Sequence, residues 1–520
     1  MHAVYNDENV KPSTDLILYF TRQNRDFGFH LLSYREPGRG DGFFLGILSP
    51  PLESRLKDVN KNIIFILDSS GSMRGDKFQQ AVGALKFCLR ELNPSDRFNV
   101  IDYDDAIRPY KTGLMTASRG NIDDAVKFTD GLEASGGTDI YDALATACGM
   151  LPSVDDPTYI IFLTDGQPTV GNINIDDIIK NTTALNEGRA HMFAFGVGYD
   201  VNAHLLDRLS EENRGVSEYV LPSENIESKI SHLASKISRP ALTDLKLSFS
   251  PKSGSKVYPN PLPDLFYGSE IVITGRFQDI GSSTAIISGK VGNKDVTYEF
   301  PVAFSNGSRQ DEFISLLWAN RRIGYLLQEI RLHGSNDELL SEVIDLSKKY
   351  GIITEYTSFL VSGDERTRLA DIVGSNDQIV YMRRGAIEKK LNEQSGSSAV
   401  MQSKTLSAQQ YSTQLPPPSA AMNDVDKENS IPNVTQVGAQ AFFQSGQNWI
   451  QGGLAGNKFD MEIKRFSKAY FQILDKNPSL GRYLGLGQEV RLQVGTQVVQ
   501  ISDKGKELLT DNDIKLLFHN

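Results

Sequence analysis

Asp68, Ser70 and Ser72 stand at spacing i, i+2, i+4 in the loop Asp68-Ser69-Ser70-Gly71-Ser72, directly after the apolar run Ile63-Ile64-Phe65-Ile66-Leu67. One carboxylate and two hydroxyls in so short a turn present oxygen donors to one side, the donor set that a hard divalent cation prefers. Two further motifs extend it. Gly136-Gly137-Thr138-Asp139 brings a third hydroxyl just before a helical period, and Thr164-Asp165-Gly166 brings a second carboxylate after Tyr159-Ile160-Ile161-Phe162-Leu163. Asp68, Ser70, Ser72, Thr138 and Asp165 are therefore the candidate metal ligands. Any one motif alone is as well explained by serines capping the helix near Asp76 or by an Asp-Gly turn. Three of them, each after a strand or before a helix, make that reading the weaker one.

Other chemistries find less support. An aspartyl nucleophile of the haloacid dehalogenase type needs a second Asp two residues on, and Ser70 stands there. The seven histidines have no zinc-ligand spacing, and neither a Gly-x-Ser-x-Gly elbow nor a phosphate loop ending in Gly-Lys-Ser/Thr occurs. No catalytic residue and no organic-cofactor site is assigned, and the chain reads as a non-enzyme. Arg39-Gly40-Asp41 and three Asn-x-Ser/Thr triplets are strings that Gly-rich turns and chain length produce by chance.

The ligands need a scaffold that brings distant strand ends to one rim. From Asn62 to Arg239 apolar runs alternate with helical periods, the pattern of a parallel sheet covered on both faces. Strands are expected at 62–67, 97–103, 158–164, 190–196 and 217–220, with helices near 76–92, 120–132, 139–150, 174–187, 202–211 and 223–238. The fold class is thus α/β, a doubly wound, mostly parallel sheet over 55–239. Strand patterns at 12–54, beginning with Leu16-Ile17-Leu18-Tyr19-Phe20, and at 240–304 predict one β-sandwich into which the α/β unit is inserted. Residues 305–394 read as a helical segment containing an αα-hairpin that turns at His333-Gly334-Ser335-Asn336. Residues 395–432, rich in Ser, Gln, Ala and Pro, read as a flexible linker, and 433–520 as a small α+β module.

The formal charge of −11 and pI near 5.3 argue against nucleic acid as a partner. No apolar stretch reaches the roughly 18 residues of a spanning helix. Two cysteines and a start without secretory-signal character favour a cytoplasmic location, or a secreted or cell-surface one if the sequence is truncated.

Over about 62–238 the five ligands resemble, in order and without substitution, the metal-ion-dependent adhesion site of the von Willebrand factor A domain. That resemblance implies hydroxyl ligation by Ser70, Ser72 and Thr138, and charge from Asp68 and Asp165 directly or through water. It also implies Mg²⁺, with Ca²⁺ or Mn²⁺ as alternatives, and a coordination position left open for an Asp or Glu of a protein partner.

A longer likeness, about 15–365, runs through Pro259-Asn260-Pro261-Leu262-Pro263-Asp264-Leu265-Phe266, Leu317-Trp318-Ala319-Asn320-Arg321-Arg322-Ile323-Gly324 and the string from Lys348 to Leu360. These are similar to the inter-alpha-trypsin inhibitor heavy chain family, especially its bacterial members, without the vault domain that usually precedes the A domain there. The family's covalent glycosaminoglycan linkage uses an Asp-Pro-His context; Asp156-Pro157 is followed by Thr158, so it is not carried over. The expected function is cation-dependent protein binding or adhesion. The alternative is a scaffold that self-assembles, its metal only stabilising the loop.

Overall fold

The computed structural model describes residues 27–36, 40–51, 60–152, 156–237, 239–251, 254–352, 393–413, 434–445, 447–454 and 458–518. The strand expected at 16–20 and the segments 353–392 and 414–433 lie outside the described residues.

Strands β1 (Gly28–Tyr34) and β2 (Gly42–Ser49) form an antiparallel pair, Gly28 opposite Ser49. The chain then enters the α/β domain through β3 (Asn62–Asp68), α1 (Asp76–Arg90), β4 (Arg97–Tyr103), two short edge strands β5 (Ile107–Pro109) and β6 (Met115–Thr116), α2 (Arg119–Asp130) and α3 (Ile140–Gly149). It continues through β7 (Thr158–Thr164), α4 (Ile175–Asn186), β8 (His191–Val197), α5 (Ala203–Glu212), β9 (Ser217–Val220) and α6 (Ile226–Ile237).

Strands β3, β7 and β8 are buried at every position, which is why they read as unbroken apolar runs rather than alternating ones. The sheet order is β5-β4-β3-β7-β8-β9, with β6 also on β4. β3 pairs in parallel with β4 on one side and β7 on the other. The winding therefore reverses beside β3, and open α/β sheets place their ligand crevices at the carboxyl ends of the strands at such a reversal. The two antiparallel edge strands β5 and β6 have no counterpart in the sequence reading; both are two or three residues long, too short for a periodic signal.

The chain leaves through β10 (Pro240–Ser250), β11 (Gly254–Tyr258), β12 (Leu265–Phe266), β13 (Ile271–Phe277), β14 (Gly281–Val291) and β15 (Lys294–Phe304). These complete two four-stranded sheets, β1-β2-β13-β11 and β12-β10-β14-β15. Strand β2 pairs directly with β13, Leu48 opposite Ile271, so strands on either side of the α/β domain share one sheet. Phe29, Phe44, Leu242, Phe249, Ile273, Phe277 and Phe304 fill the space between the sheets. The sandwich with an inserted α/β domain is the architecture expected from the strand patterns.

Helices α7 (Phe313–His333) and α8 (Asp337–Tyr350) follow. Trp318 of α7 packs on Phe43 of β2 and donates to the Lys256 carbonyl at 3.0 Å. Arg321, 1% exposed, donates to the Tyr258 carbonyl at 3.2 Å, the Val272 carbonyl at 2.5 Å and the Ser412 carbonyl at 2.8 Å. Its guanidinium thus ties the sandwich to the end of the next helix.

That helix, α9 (Gly396–Tyr411), corrects the expectation of a flexible linker over 395–432. It buries Ala399 and Val400 in the core shared with α5, and Leu406 in the core of α7 and α8. Close packing here uses Ala, Ser and one Leu in place of a stripe of large apolar residues. Its amphipathicity is therefore nearly invisible in the sequence.

Beyond it, β16 (Val434–Val437), β17 (Gln440–Ser445), β18 (Asn448–Gln451), β19 (Met461–Lys464), α10 (Lys468–Lys476), α11 (Gly481–Leu484), β20 (Glu489–Val494), β21 (Gln497–Ser502) and α12 (Asp511–Phe518) make a small α+β module. Its six-stranded sheet runs β16-β17-β18-β20-β21-β19. Arg482 pairs with Glu312 at 2.8 Å, fastening the module at the start of α7.

An ion-pair cluster joins the floor of the α/β domain to the sandwich. His191 at the start of β8 lies 3.0 Å from Asp264 and 3.6 Å from Asp244 of β10. Burial alone would depress the imidazole, but the Asp264 charge and the bonds to both carboxylates win and raise it to about 9. A native value above the ordinary one means the folded state binds the extra proton. The stabilisation is fully present below about pH 6.5, the ordinary histidine value, and is lost as pH rises through about 9. Thermal unfolding of the full chain should show a fall in midpoint between pH 7 and pH 10 that His191→Gln largely abolishes.

Candidate metal centre

Asp68 is the last residue of β3, and the adjacent strand ends hold it. Its carboxylate accepts from the Ser70 amide at 2.8 Å, Thr164 Oγ1 at 2.6 Å and the Tyr103 hydroxyl at 3.2 Å. Tyr103 and Thr164 end β4 and β7, the two strands that flank β3. Both were overlooked in the sequence, where nothing but their position at strand ends marks them. Burial holds the Asp68 carboxyl above its ordinary range; the bonds from Ser70 and Thr164 oppose this and the Asp165 charge adds to it. Burial also raises the Tyr103 phenol, which therefore remains a donor.

Ser70 Oγ and Ser72 Oγ are 3.1 Å apart, and Ser72 Oγ donates to Asp165 Oδ1 at 2.7 Å. Asp165, 1% exposed, also meets Lys77 of α1, whose Nζ lies 3.0 Å from Oδ2. The Thr138 loop closes the other side. The Gly71 amide donates to the Gly136 carbonyl at 3.1 Å, and the Ser135 amide to the Ser69 carbonyl at 2.7 Å. Thr138 donates its amide to Thr169 Oγ1 at 2.9 Å and accepts from the Thr169 amide at 3.0 Å, which locks this loop to the one after β7.

Glycine is required at position 136, where φ is +72° and a β-carbon would lie 2.2 Å from Asp105 Oδ1. At Gly166 a β-carbon would stand 3.7 Å from Thr138 Oγ1 and 3.9 Å from Ser72 Oγ, so both hydroxyls look onto the same small space. The five sequence-selected residues thus gather at the carboxyl edge of the sheet beside β3.

Residues 61–219 match the family model described as von Willebrand factor type A domain. They form a von Willebrand factor type A domain. Over a longer stretch the chain is similar to inter-alpha-trypsin inhibitor heavy chains. Heavy chain H2 of Mus musculus is 30% identical over 358 residues, 64% of this chain and 37% of that protein. Heavy chain H4 of Homo sapiens is 31% identical over 342 residues, 62% and 36%. The chain therefore spans little more than a third of the length of these curated relatives. Among solved structures, a von Willebrand factor type A protein from Catenulispora acidiphila overlays with a TM-score of 0.47 at 17% identity, covering 62% of this chain and 87% of that one. Among the described residues no helix is long and apolar enough to cross a membrane.

The donor set in the A domain is hydroxyl and carboxylate oxygen throughout, which fits a hard cation such as Mg²⁺ better than a thiolate- or imidazole-seeking one. Two carboxylates almost wholly out of water fit it equally, because such charges call for a nearby cation.

A second group, Glu211, Glu329 and His333, brings its ligand atoms within 4.8 Å of one another. Burial and then the Glu329 charge push the Glu211 carboxyl up to about 7.

Replacing Thr164 by Val removes the shortest donor to Asp68 without changing shape. It should cost about 1.5–3 kcal/mol, as for hydrogen bonds to charged groups, while Thr164→Ser should cost less. Urea unfolding in EDTA reads both.

Proposed function

We propose that the A domain is a divalent-cation-dependent protein-binding module. Ser70, Ser72 and Thr138 offer hydroxyls to a Mg²⁺ ion, Asp68 and Asp165 supply the opposing charge, and an Asp or Glu of a protein partner takes the remaining coordination position. What supports this most is the convergence of three hydroxyls and two buried carboxylates at the reversal point of the sheet.

Both oxygens of Asp68 are already taken, one by the Ser70 amide and the other by Thr164 and Tyr103. They leave it a source of charge rather than a nucleophile or base, which favours binding over turnover. Ser72 is exposed at the mouth of the cluster, while Ser70, Thr138, Asp68 and Asp165 are buried. An ion held among them is reached from outside past Ser72, the side on which a partner's carboxylate would arrive.

When bound, the ion would supply the electrophile; the chain's own residues hold it, exclude bulk water from its inner side and keep one side open.

Thermal unfolding tests it directly. Mg²⁺ at a hundredfold excess over its Kd should add about 2.7 kcal/mol to the A domain, raising the wild-type midpoint above that in EDTA, whereas Asp68→Ala should show no difference. Proteins retained by the wild type in Mg²⁺ should be lost in EDTA and with an Asp68→Ala/Asp165→Ala double variant. A wild-type midpoint indifferent to Mg²⁺ would overturn the reading.

A further inference from the structure

Lys77 is a charge that the ligand pattern does not include. It lies in the first turn of α1, where a cation opposes the positive end of the helix dipole, so its position calls for a local counter-charge. That counter-charge is Asp165. Lys77 Nζ sits 3.0 Å from Asp165 Oδ2, on the opposite side of the carboxylate from the Ser72 bond to Oδ1. A β-carbon at Gly198, just past the end of β8, would be 3.9 Å from the same ammonium. Lys77 therefore reaches over the carboxyl edge of the sheet. Its side chain is 40% exposed, so the ammonium remains open to solvent beside the buried Asp165 carboxylate.

Arg108, another cation near this rim, is accounted for, as is Arg74, which donates to the Ala134 carbonyl at 3.0 Å. Arg108 donates to Asp102 at 2.7 Å and Asp104 at 2.9 Å, and touches the site only through Ser69 Oγ at 3.3 Å.

We propose that Lys77 sets the charge of the loaded site, giving up metal affinity in exchange for affinity toward an acidic partner; this rests on the metal reading above. Asp68 and Asp165 alone would neutralise a dication and leave little electrostatic pull on an incoming carboxylate. With the ammonium of Lys77 beside Asp165, the same site carrying a dication is left with a net positive charge. A dication and an ammonium at close range repel each other, so the ion binds less tightly. A carboxylate arriving at the open position is attracted by both. Lys77 is thus a specificity-determining residue. It favours partners whose contacting group is anionic over those that offer a neutral carbonyl or hydroxyl.

The test uses the full chain with Lys77→Met, which keeps the length of the side chain and removes its charge, and Lys77→Arg, which keeps the charge. Calorimetry measures Mg²⁺ binding. Acetate titrated onto the Mn²⁺-loaded protein, followed by loss of the ion's water-proton relaxation enhancement, measures carboxylate capture. Lys77→Met should bind Mg²⁺ about tenfold more tightly than the wild type and acetate about tenfold more weakly, a factor that corresponds to about 1.4 kcal/mol in each case. Lys77→Arg should stay close to the wild type in both. Mg²⁺ binding to Lys77→Met but not detectably to the wild type would overturn both the metal reading of the native chain and the role of Lys77 in carboxylate capture. Wild-type binding with unchanged affinities in Lys77→Met would overturn this proposal alone, and failure of both proteins to bind Mg²⁺ would overturn it together with the metal reading.

Discussion

Asp207, 2% exposed on α5, is the point at which the parts of the molecule are joined. It accepts from Tyr219 of β9 at 2.7 Å, from Ser403 of α9 at 2.8 Å and from Ser217, and it pairs with Arg331 of α7. A carboxylate so far from water is tolerable because donors from β9 and α9 satisfy its oxygens and the Arg331 guanidinium of α7 meets its charge. Parting α5 of the A domain from α7 would break the Asp207–Arg331 ion pair, and parting it from α9 would remove the Ser403 donor. His191 makes a similar joint on the floor of the domain, against Asp244 and Asp264 of the sandwich.

The carboxyl edge of the sheet beside β3 holds the buried carboxylates Asp68 and Asp165. There the logic of buried charge is inverted. At Asp207 a full counter-charge is built in, whereas Asp68 is met only by dipoles, the Ser70 amide and the hydroxyls of Thr164 and Tyr103. Dipoles moderate a buried carboxylate without cancelling it, and burial still raises Asp68. Among the described residues the half-exposed ammonium of Lys77 pairs with Asp165.

Much of this was legible in the chain. The apolar runs of β3, β7 and β8 stand out because both faces of the sheet are covered, and the loop residues after them carry oxygen donors at short spacing. Strand pairing then does what spacing cannot, setting Asp68 beside Tyr103 and placing Thr164 within 2.6 Å. Lys77 escaped notice because a lysine in a first helical turn has no motif to belong to, and its meaning comes from a carboxylate 88 residues away. Helix α9 escaped for a different reason, since Ala399, Val400 and Ser403 gain their burial from a groove made by α5 and α7. The segment takes its shape from a surface that the local sequence does not describe.

The insertion of the A domain between β2 and β10 also fixes an order of events during synthesis. Strands β1 and β2 emerge before the A domain, carrying Phe29, Phe43, Phe44 and Leu48, yet the partners that bury these side chains, β13 and α7 among them, arrive more than 200 residues later. Ser33 meets Ser305 across a separation of 272 residues. At roughly 5–20 residues per second the nascent hairpin waits tens of seconds with an apolar face and an open edge. The A domain, built of parallel units that close on their neighbours, can complete itself in that interval. The sandwich then sets after the A domain, and the strands that precede that domain are the ones in need of protection from aggregation while it forms.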